Sequence, residues 1–236
     1  MVNPWGITSS ATSPFWVANN GTSTATLYGG DVSGSPLTRN ALTVSISGGL
    51  PTGAVFNGSA DFVITAGGGT SAARFIFASI TGNLSAWRAG NSAVIAASQP
   101  GHVYTGLAIG NDGVANFLYA ANFASPTLAG SVEVFNSTFT PQSVASFPFV
   151  DSGVPALPAD FRPFNIQNIG GFIYVTYAKL GSNGRNQNGL GLGYVSKFTT
   201  SGVFVQRLVS NGPLNSPWGI AIAPASFGVF GSALLV

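Results

Sequence analysis

Short apolar segments separated by turn-forming residues run along the whole chain. The first group of such segments lies at 5–7, 15–20, 24–28 and 42–46. Each segment contains aromatic or β-branched residues and is bounded by Gly, Pro, Ser or Asn, which is typical of a short β-strand ended by a turn. No stretch has the 3.6-residue apolar spacing of an amphipathic helix. The pattern therefore predicts an all-β chain.

The same group of segments recurs along the chain. Pro4-Trp5-Gly6-Ile7 near the start is repeated as Pro217-Trp218-Gly219-Ile220 near the end, and weaker copies begin at Gly53, Gly106 and Asn165. These restarts are spaced by about 47 to 59 residues, the period of propeller repeats. A β-sandwich also has short strands at regular spacing, but it does not predict one motif repeated in groups of four. The repeat favours a β-propeller.

We therefore predict a β-propeller of four-stranded antiparallel blades, with about four blades and the start of a fifth. The blades are predicted to span approximately 2–49, 50–103, 104–163 and 164–215, with a partial blade at 216–236. The predicted strands of the later units are 52–56, 61–65, 74–78 and 93–97, then 104–108, 117–120, 131–135 and 144–147, then 164–167, 172–176, 194–198 and 204–209.

The amino-acid composition argues against several classes of partner and chemistry. Charged residues make up 6% of the chain, against roughly 25% in ordinary globular proteins. The net charge of +2 comes from scattered Lys and Arg, so no basic patch indicates a nucleic-acid partner. The chain has no Cys, which removes disulfides and thiolate chemistry. No apolar run reaches the roughly 20 residues that span a bilayer, and no signal-peptide pattern follows Met1.

Several segments together resemble one protein family. The segments are 3–7, 15–21, 163–168, 174–179 and 212–219, and they are similar to the uncharacterised, secreted, NHL-like six-bladed β-propellers of bacteria, many of which carry a PEP-CTERM sorting tail. The resemblance implies an exported protein, located outside the cell or at its surface, with about six blades. Members of that family usually carry a leader and further blades. The resemblance therefore implies that this chain is a fragment, and we expect an open arc of four blades that is unstable, oligomeric or aggregated when expressed alone.

One face of the predicted ring collects the candidate ligand-binding residues. The first and second strands of a blade are antiparallel, so the start of one and the end of the other lie at the same mouth of the channel. Amides and aromatic faces there suit a neutral glycan, whereas the structural alternative is that Asn forms turns and Trp packs between blades. The residues placed at this mouth are Trp5, Asn20, His102, Asn122, Arg162, Asn165, Tyr177 and Trp218.

Two functions follow as expectations. The first is an exported binding or scaffold protein that recognises a polysaccharide or a surface protein. The second is a lyase or lactonase acting through His102, with Arg162 or a metal bound in the channel. The first is favoured because His102 is the only histidine and the six carboxylates are dispersed. We therefore predict no catalytic residues, no metal site and no cofactor in this segment.

Overall fold

The computed structural model describes residues 1–31, 33–124 and 130–236, and those residues form an all-β structure. They contain nineteen strands, two 3₁₀ turns and no α-helix, so no helix among them could cross a bilayer. The strands are β1 Pro4–Thr8, β2 Phe15–Asn19, β3 Thr24–Gly29, β4 Thr38–Ser45, β5 Pro51–Phe56, β6 Val63–Ala66, β7 Gly69–Ala72, β8 Phe75–Ser79, β9 Asn83–Trp87, β10 Val94–Ser98, β11 Tyr104–Asn111, β12 Asn116–Asn122, β13 Ser131–Phe135, β14 Phe161–Ile169, β15 Phe172–Lys179, β16 Gly193–Thr199, β17 Phe204–Ser210, β18 Ala221–Ile222 and β19 Leu234–Leu235.

The strands pair into successive antiparallel sheets. The first sheet has the order β1-β2-β3-β4, the second β5-β8-β9-β10 and the fourth β14-β15-β16-β17, while the third contains β11-β12-β13. Strands β18 and β19 form a short hairpin at the end of the chain. The prediction of four-stranded antiparallel sheets in an all-β chain is confirmed for the first, second and fourth units.

The second unit corrects the sequence prediction. Segment 61–65 is not its second strand, because β6 pairs with β7 in a hairpin inserted between β5 and β8. The second and third strands are β8 and β9, and β9 was not predicted. Phe62 is fully buried, with its ring 5.4 Å from that of Phe139. The segment at the start of the hairpin therefore has the same pattern of apolar residues as a strand of a blade, so the sequence alone does not distinguish the two.

The third unit contains a second correction. Segment 144–147 was predicted as a fourth strand, but it forms a turn. Its aromatic residue Phe147 is buried 4.8 Å from the ring of Phe117, and Phe149 lies 5.7 Å from the ring of Tyr119. The apolar pattern thus reflects a loop that buries its rings against the sheet.

The first strands of successive units lie side by side, β1 against β5, β5 against β11 and β11 against β14. Gly6, Gly53 and Gly106 occupy the close approaches, where a Cβ would clash with the backbone of the next unit's first strand. This packing explains why glycine recurs at the repeat restarts. It also brings the starts of these strands to one face of the molecule.

Aromatic and aliphatic side chains fill the space between neighbouring sheets. Between the first two sheets, Trp16 stacks on Phe75 with ring centroids 4.2 Å apart and also contacts Trp87. Between the third and fourth sheets, Tyr119 and Phe198 are fully buried in one cluster. The core therefore lies between the sheets.

Candidate functional site

Three aromatic rings meet where the first strands begin. The ring of Trp5 lies 5.7 Å from that of Trp218 at an interplanar angle of 83°, and 6.5 Å from that of Phe164 at 70°. With Asn3 and Pro4 these residues line a space of about 360 Å³, which we call the aromatic cavity. The two indoles are half-buried, so part of each ring remains open to a ligand.

A second space, the adjoining cavity, shares Asn3, Trp5 and Phe164 with the aromatic cavity. Its volume is about 510 Å³, within the range typical of small-ligand sites. Its other lining residues come from the ends of several units and from the loop after β15: Asn20, Leu50, Ile80, Val103, Thr105, Phe123, Gly184, Arg185 and Asn186. Together the two cavities form a continuous, partly apolar surface on one face.

The repeated motif contributes to both ends of this surface. Asn3 and Ser216, which each precede a Pro-Trp-Gly-Ile element, both have a φ of 48°. This left-handed conformation is uncommon for residues other than glycine, and Asn is among those that tolerate it best. The residue before the motif thus has the same backbone conformation in both copies, although Pro4–Thr8 forms a strand and 217–220 does not.

The amides predicted to bind a ligand are largely engaged within the protein. The Asn3 side chain accepts a hydrogen bond from Trp5 Nε1 at 3.2 Å and donates one to Asn20 Oδ1 at 3.1 Å. Asn20 Nδ2 in turn donates to the Leu50 carbonyl at 3.0 Å. These bonds fix Trp5 in place, and they leave the two amides with little hydrogen-bonding capacity for a ligand.

Trp218 is held by two further contacts. Its Nε1 donates at 2.9 Å to the carbonyl of Thr105, which lies on β11 in the third sheet. Asn165 is only 2% exposed, and its Nδ2 donates to the Trp218 carbonyl. Asn165 therefore lies behind the aromatic cavity and supports it. Both indole N–H groups are satisfied internally, so the indoles offer their carbon faces to a ligand.

His102 and Asn122 lie in a separate polar cluster around Glu133. His102 Nδ1 is 2.7 Å from Glu133 Oε1, and Asn122 Nδ2 donates to the same oxygen at 2.8 Å. The Tyr104 hydroxyl donates to Oε2 at 2.6 Å. Burial, followed by the charge of Glu133 and this hydrogen bond, raises the pKa of Tyr104. The cluster fixes the segment that directly precedes β11. Val103 belongs to that segment and lines the adjoining cavity.

Tyr177 and Arg162 lie elsewhere. Tyr177 is 3% exposed within the core cluster between the third and fourth sheets, and burial raises the pKa of its hydroxyl. Both residues line a third cavity of about 420 Å³, together with Asp151. That cavity shares no lining residue with the other two. Of the eight residues predicted at the channel mouth, the structure thus brings together Trp5, Asn20 and Trp218, with Asn165 behind them.

Many residues of these sites were not predicted, among them Asn3, Glu133, Phe164 and Arg185. Phe164 could have been found, because Pro163-Phe164-Asn165 aligns with Pro4-Trp5-Gly6 in the repeat. Asn3 stands directly before the same motif. Glu133 and Arg185 carry no such signal, since their roles depend on how distant segments fold together. Among the described residues, no three His, Asp or Glu side chains converge as metal ligands would.

Comparisons with known proteins support the fold. No family model matches the chain. It is 33% and 32% identical, over its whole length, to two uncharacterised proteins of Acanthamoeba polyphaga mimivirus, and it spans 59% and 63% of their lengths. These relatives are viral, whereas the resemblance noted in the sequence is to bacterial proteins.

Among solved structures, hydrazine synthase of Kuenenia stuttgartiensis superposes with a TM-score of 0.56 and 14% identity. The match covers 94% of this chain and 59% of that one. At this level of identity the likeness concerns the fold alone, which is β-propeller-like.

Proposed function

We propose that the chain is part of an exported β-propeller binding or scaffold protein that recognises a glycan at a cell surface or in a matrix. The observation that carries this proposal is the pair of connected cavities on one face, where two fixed indoles offer their carbon faces. Aromatic faces stack on the apolar faces of sugar rings, and concave aromatic-lined surfaces are common ligand sites. A surface protein is the alternative partner.

The wider architecture belongs to the same proposal. The units near 2–49, 50–103, 104–163, 164–215 and 216–236 are blades of one propeller, and the ring contains about six. The side-by-side arrangement of the four first strands supports this assignment. The extracellular or cell-surface location rests on the resemblance noted in the sequence, which was to secreted proteins.

The proposal is tested by glycan-array binding of the purified chain and two variants. Trp5→Ala and Trp218→Ala each remove one face of the aromatic cavity, so both should abolish binding. Phe15→Ala is the matched control, because Phe15 is an aromatic residue that is 45% exposed and lines neither cavity. Glycan binding that survives both tryptophan changes would place the site elsewhere.

A second candidate function is supported by the cluster at Glu133. The Glu133 carboxylate lies 2.7 Å from His102 Nδ1, a contact without hydrogen-bond geometry, and a carboxylate on that side of an imidazole leaves Nε2 to act as a base. This arrangement suits a lyase or lactonase. His102→Gln should then abolish turnover of a lactone or polysaccharide substrate while glycan binding persists. Turnover at the unchanged rate in this variant would exclude His102 as the base.

A further inference from the structure

We propose that the two connected cavities bind a glycan that carries carboxylate groups, a uronic-acid-containing oligosaccharide, and that Arg185 binds the carboxylate. This inference rests on the proposed function and specifies its ligand class. The juxtaposition that supports it is the Arg185 head group, which has no protein partner among the described residues, in the same cavity as the Trp5 indole, whose N–H is already engaged.

The first step concerns which polar groups are left for a ligand. Both indole N–H groups donate to protein acceptors, and the Asn3 and Asn20 side chains bond to each other and to their neighbours. A ligand that relied on these groups would have to displace existing hydrogen bonds. Polar recognition therefore falls to other lining residues.

The second step is the state of Arg185. Arg185 is exposed, and within the part of the chain that the structure describes its guanidinium makes no hydrogen bond or ion pair. Its backbone, by contrast, is held: the Arg185 N–H donates to Asn183 Oδ1 at 3.0 Å, and its carbonyl accepts from Gly181 N at 2.7 Å. The loop thus fixes the start of the side chain and leaves its five N–H donors available.

The third step is charge. Among the described residues that line the two cavities, Arg185 is the only charged one and none is a carboxylate. The nearby acids already have partners, since Asp160 lies 3.5 Å from Lys179 and Glu133 is contacted by three side chains. A guanidinium binds a carboxylate through two parallel hydrogen bonds, with more geometric specificity than an ammonium group. The site therefore favours an anionic ligand.

The fourth step is the shape of the apolar surface. The indoles of Trp5 and Trp218 stand at 83°, and Trp5 lines both cavities while Trp218 lines the aromatic cavity, so the two can cover more than one face of a ring-containing ligand. A uronic-acid oligomer offers an apolar ring face for the indoles and a carboxylate for Arg185 in each residue. An acidic peptide offers the carboxylate without the repeated ring faces, and it is the competing outcome of the test.

The experiment uses titration calorimetry with matched ligand pairs. Tetramers of galacturonic, glucuronic and mannuronic acid are each compared with their methyl esters, which keep the ring and lose the charge. We expect at least one acid to bind tenfold or more tightly than its ester, and raising the salt concentration should weaken binding of the acid alone. Arg185→Gln should reduce the affinity for the acid to that of the ester, and Arg185→Lys should restore part of it.

The control and the contrary outcomes separate this inference from the proposed function. Arg39→Gln changes another exposed arginine, which lies on β4 and lines neither cavity, and it should leave binding unchanged. Equal binding of acid and ester, unaffected by Arg185→Gln, would overturn this inference and leave glycan recognition standing. Binding of an aspartate-rich peptide through Arg185, with no sugar bound, would overturn the glycan class. No binding by any ligand in the panel would overturn both.

Discussion

At the scale of single residues, an ion pair joins the segment before β14 to the outer strand of the fourth sheet. Arg207 Nη2 lies 2.7 Å from Asp151 Oδ1, and Arg207 Nε donates to Oδ2 at 2.9 Å. The side chains of Arg207 and Asp151 are only 6% and 1% exposed. Ser196 Oγ and the Gly153 N–H also donate to this carboxylate. The pair could not be predicted, because its members are 56 positions apart and no local pattern links them.

Replacing Asp151 by Asn should destabilise the fold. The change leaves the Arg207 guanidinium buried without its counter-charge, and breaking a buried pair in this way costs about 3–5 kcal/mol. Asp160→Asn is the matched control, because the Lys179–Asp160 pair is exposed and such pairs contribute about 1 kcal/mol or less. Urea unfolding followed by fluorescence measures both changes. Equal losses of stability in the two variants would contradict the role given to the buried pair.

The same carboxylate should make stability depend on pH. Burial acts to raise the pKa of Asp151, but hydrogen bonds from Arg207, Ser196 and Gly153, with the charge of Arg207, outweigh it and hold the pKa below its usual value of 3.8. The stabilisation is therefore present above the unfolded-state pKa and is lost as the pH falls through the lower folded-state pKa.

The measurement is urea unfolding at a series of pH values from 7 to 2.5. The free energy of unfolding of the unchanged protein should fall below about pH 4, which is the ordinary range of aspartate titration. Asp151→Asn should lose much of that dependence, while Asp160→Asn should keep it. A pH profile of Asp151→Asn that parallels the unchanged protein would show that another carboxylate is responsible.

At the scale of elements, the sequence predicted strands correctly where the apolar residues belong to the strands of a four-stranded sheet. All four strands of the fourth unit form where they were expected, and three of them, β14, β15 and β16, have buried residues. The prediction was wrong where apolar residues are buried by something other than a blade strand. Phe62 is buried directly before the first strand of an inserted hairpin, and Phe147 is buried from a loop. Alternating apolar residues indicate that a segment is buried, but they do not identify the kind of element that it forms or the element that it packs against.

The close packing of first strands gives a prediction at this scale. A Cβ added at Gly53 would clash with the backbone nitrogen of Leu107 in the next unit, so Gly53→Ala must push β5 and β11 apart. Overpacking of this kind costs about 1–3 kcal/mol. Gly29→Ala is the matched control, because Gly29 also lies in a strand and a Cβ there meets nothing within 4 Å. Thermal unfolding should show a lower Tm for the first variant alone, and an unchanged Tm for Gly53→Ala would mean that the strands are not so close.

At the scale of the whole molecule, the repeat predicted the apolar half of the candidate site and missed its charged half. Trp5 and Trp218 were found because they occupy the same position in two copies of one motif, and equivalent positions in a propeller face the same mouth. Arg185 belongs to the loop between β15 and β16, which is longer than the loops between β2 and β3 and between β8 and β9. Its place beside Asn3 and Asn20 depends on how that loop folds over the face. Repetition therefore predicts the scaffold of such a site better than its specificity.

The contact between Trp5 and Trp218 joins the first and last units of the chain, and its strength can be measured. Edge-to-face aromatic pairs contribute about 0.5–1.5 kcal/mol beyond the area that they bury. In a double-mutant cycle of Trp5→Ala and Trp218→Ala, the losses in free energy of unfolding should therefore differ from additivity by about that amount. The control cycle pairs Trp5→Ala with Phe227→Ala, since Phe227 is 52% exposed and has no ring contact with Trp5 among the described residues. That cycle should be additive within about 0.5 kcal/mol. Additivity in both cycles would mean that the two ends of the chain do not support each other in solution, and that the aromatic cavity between them is not a fixed site.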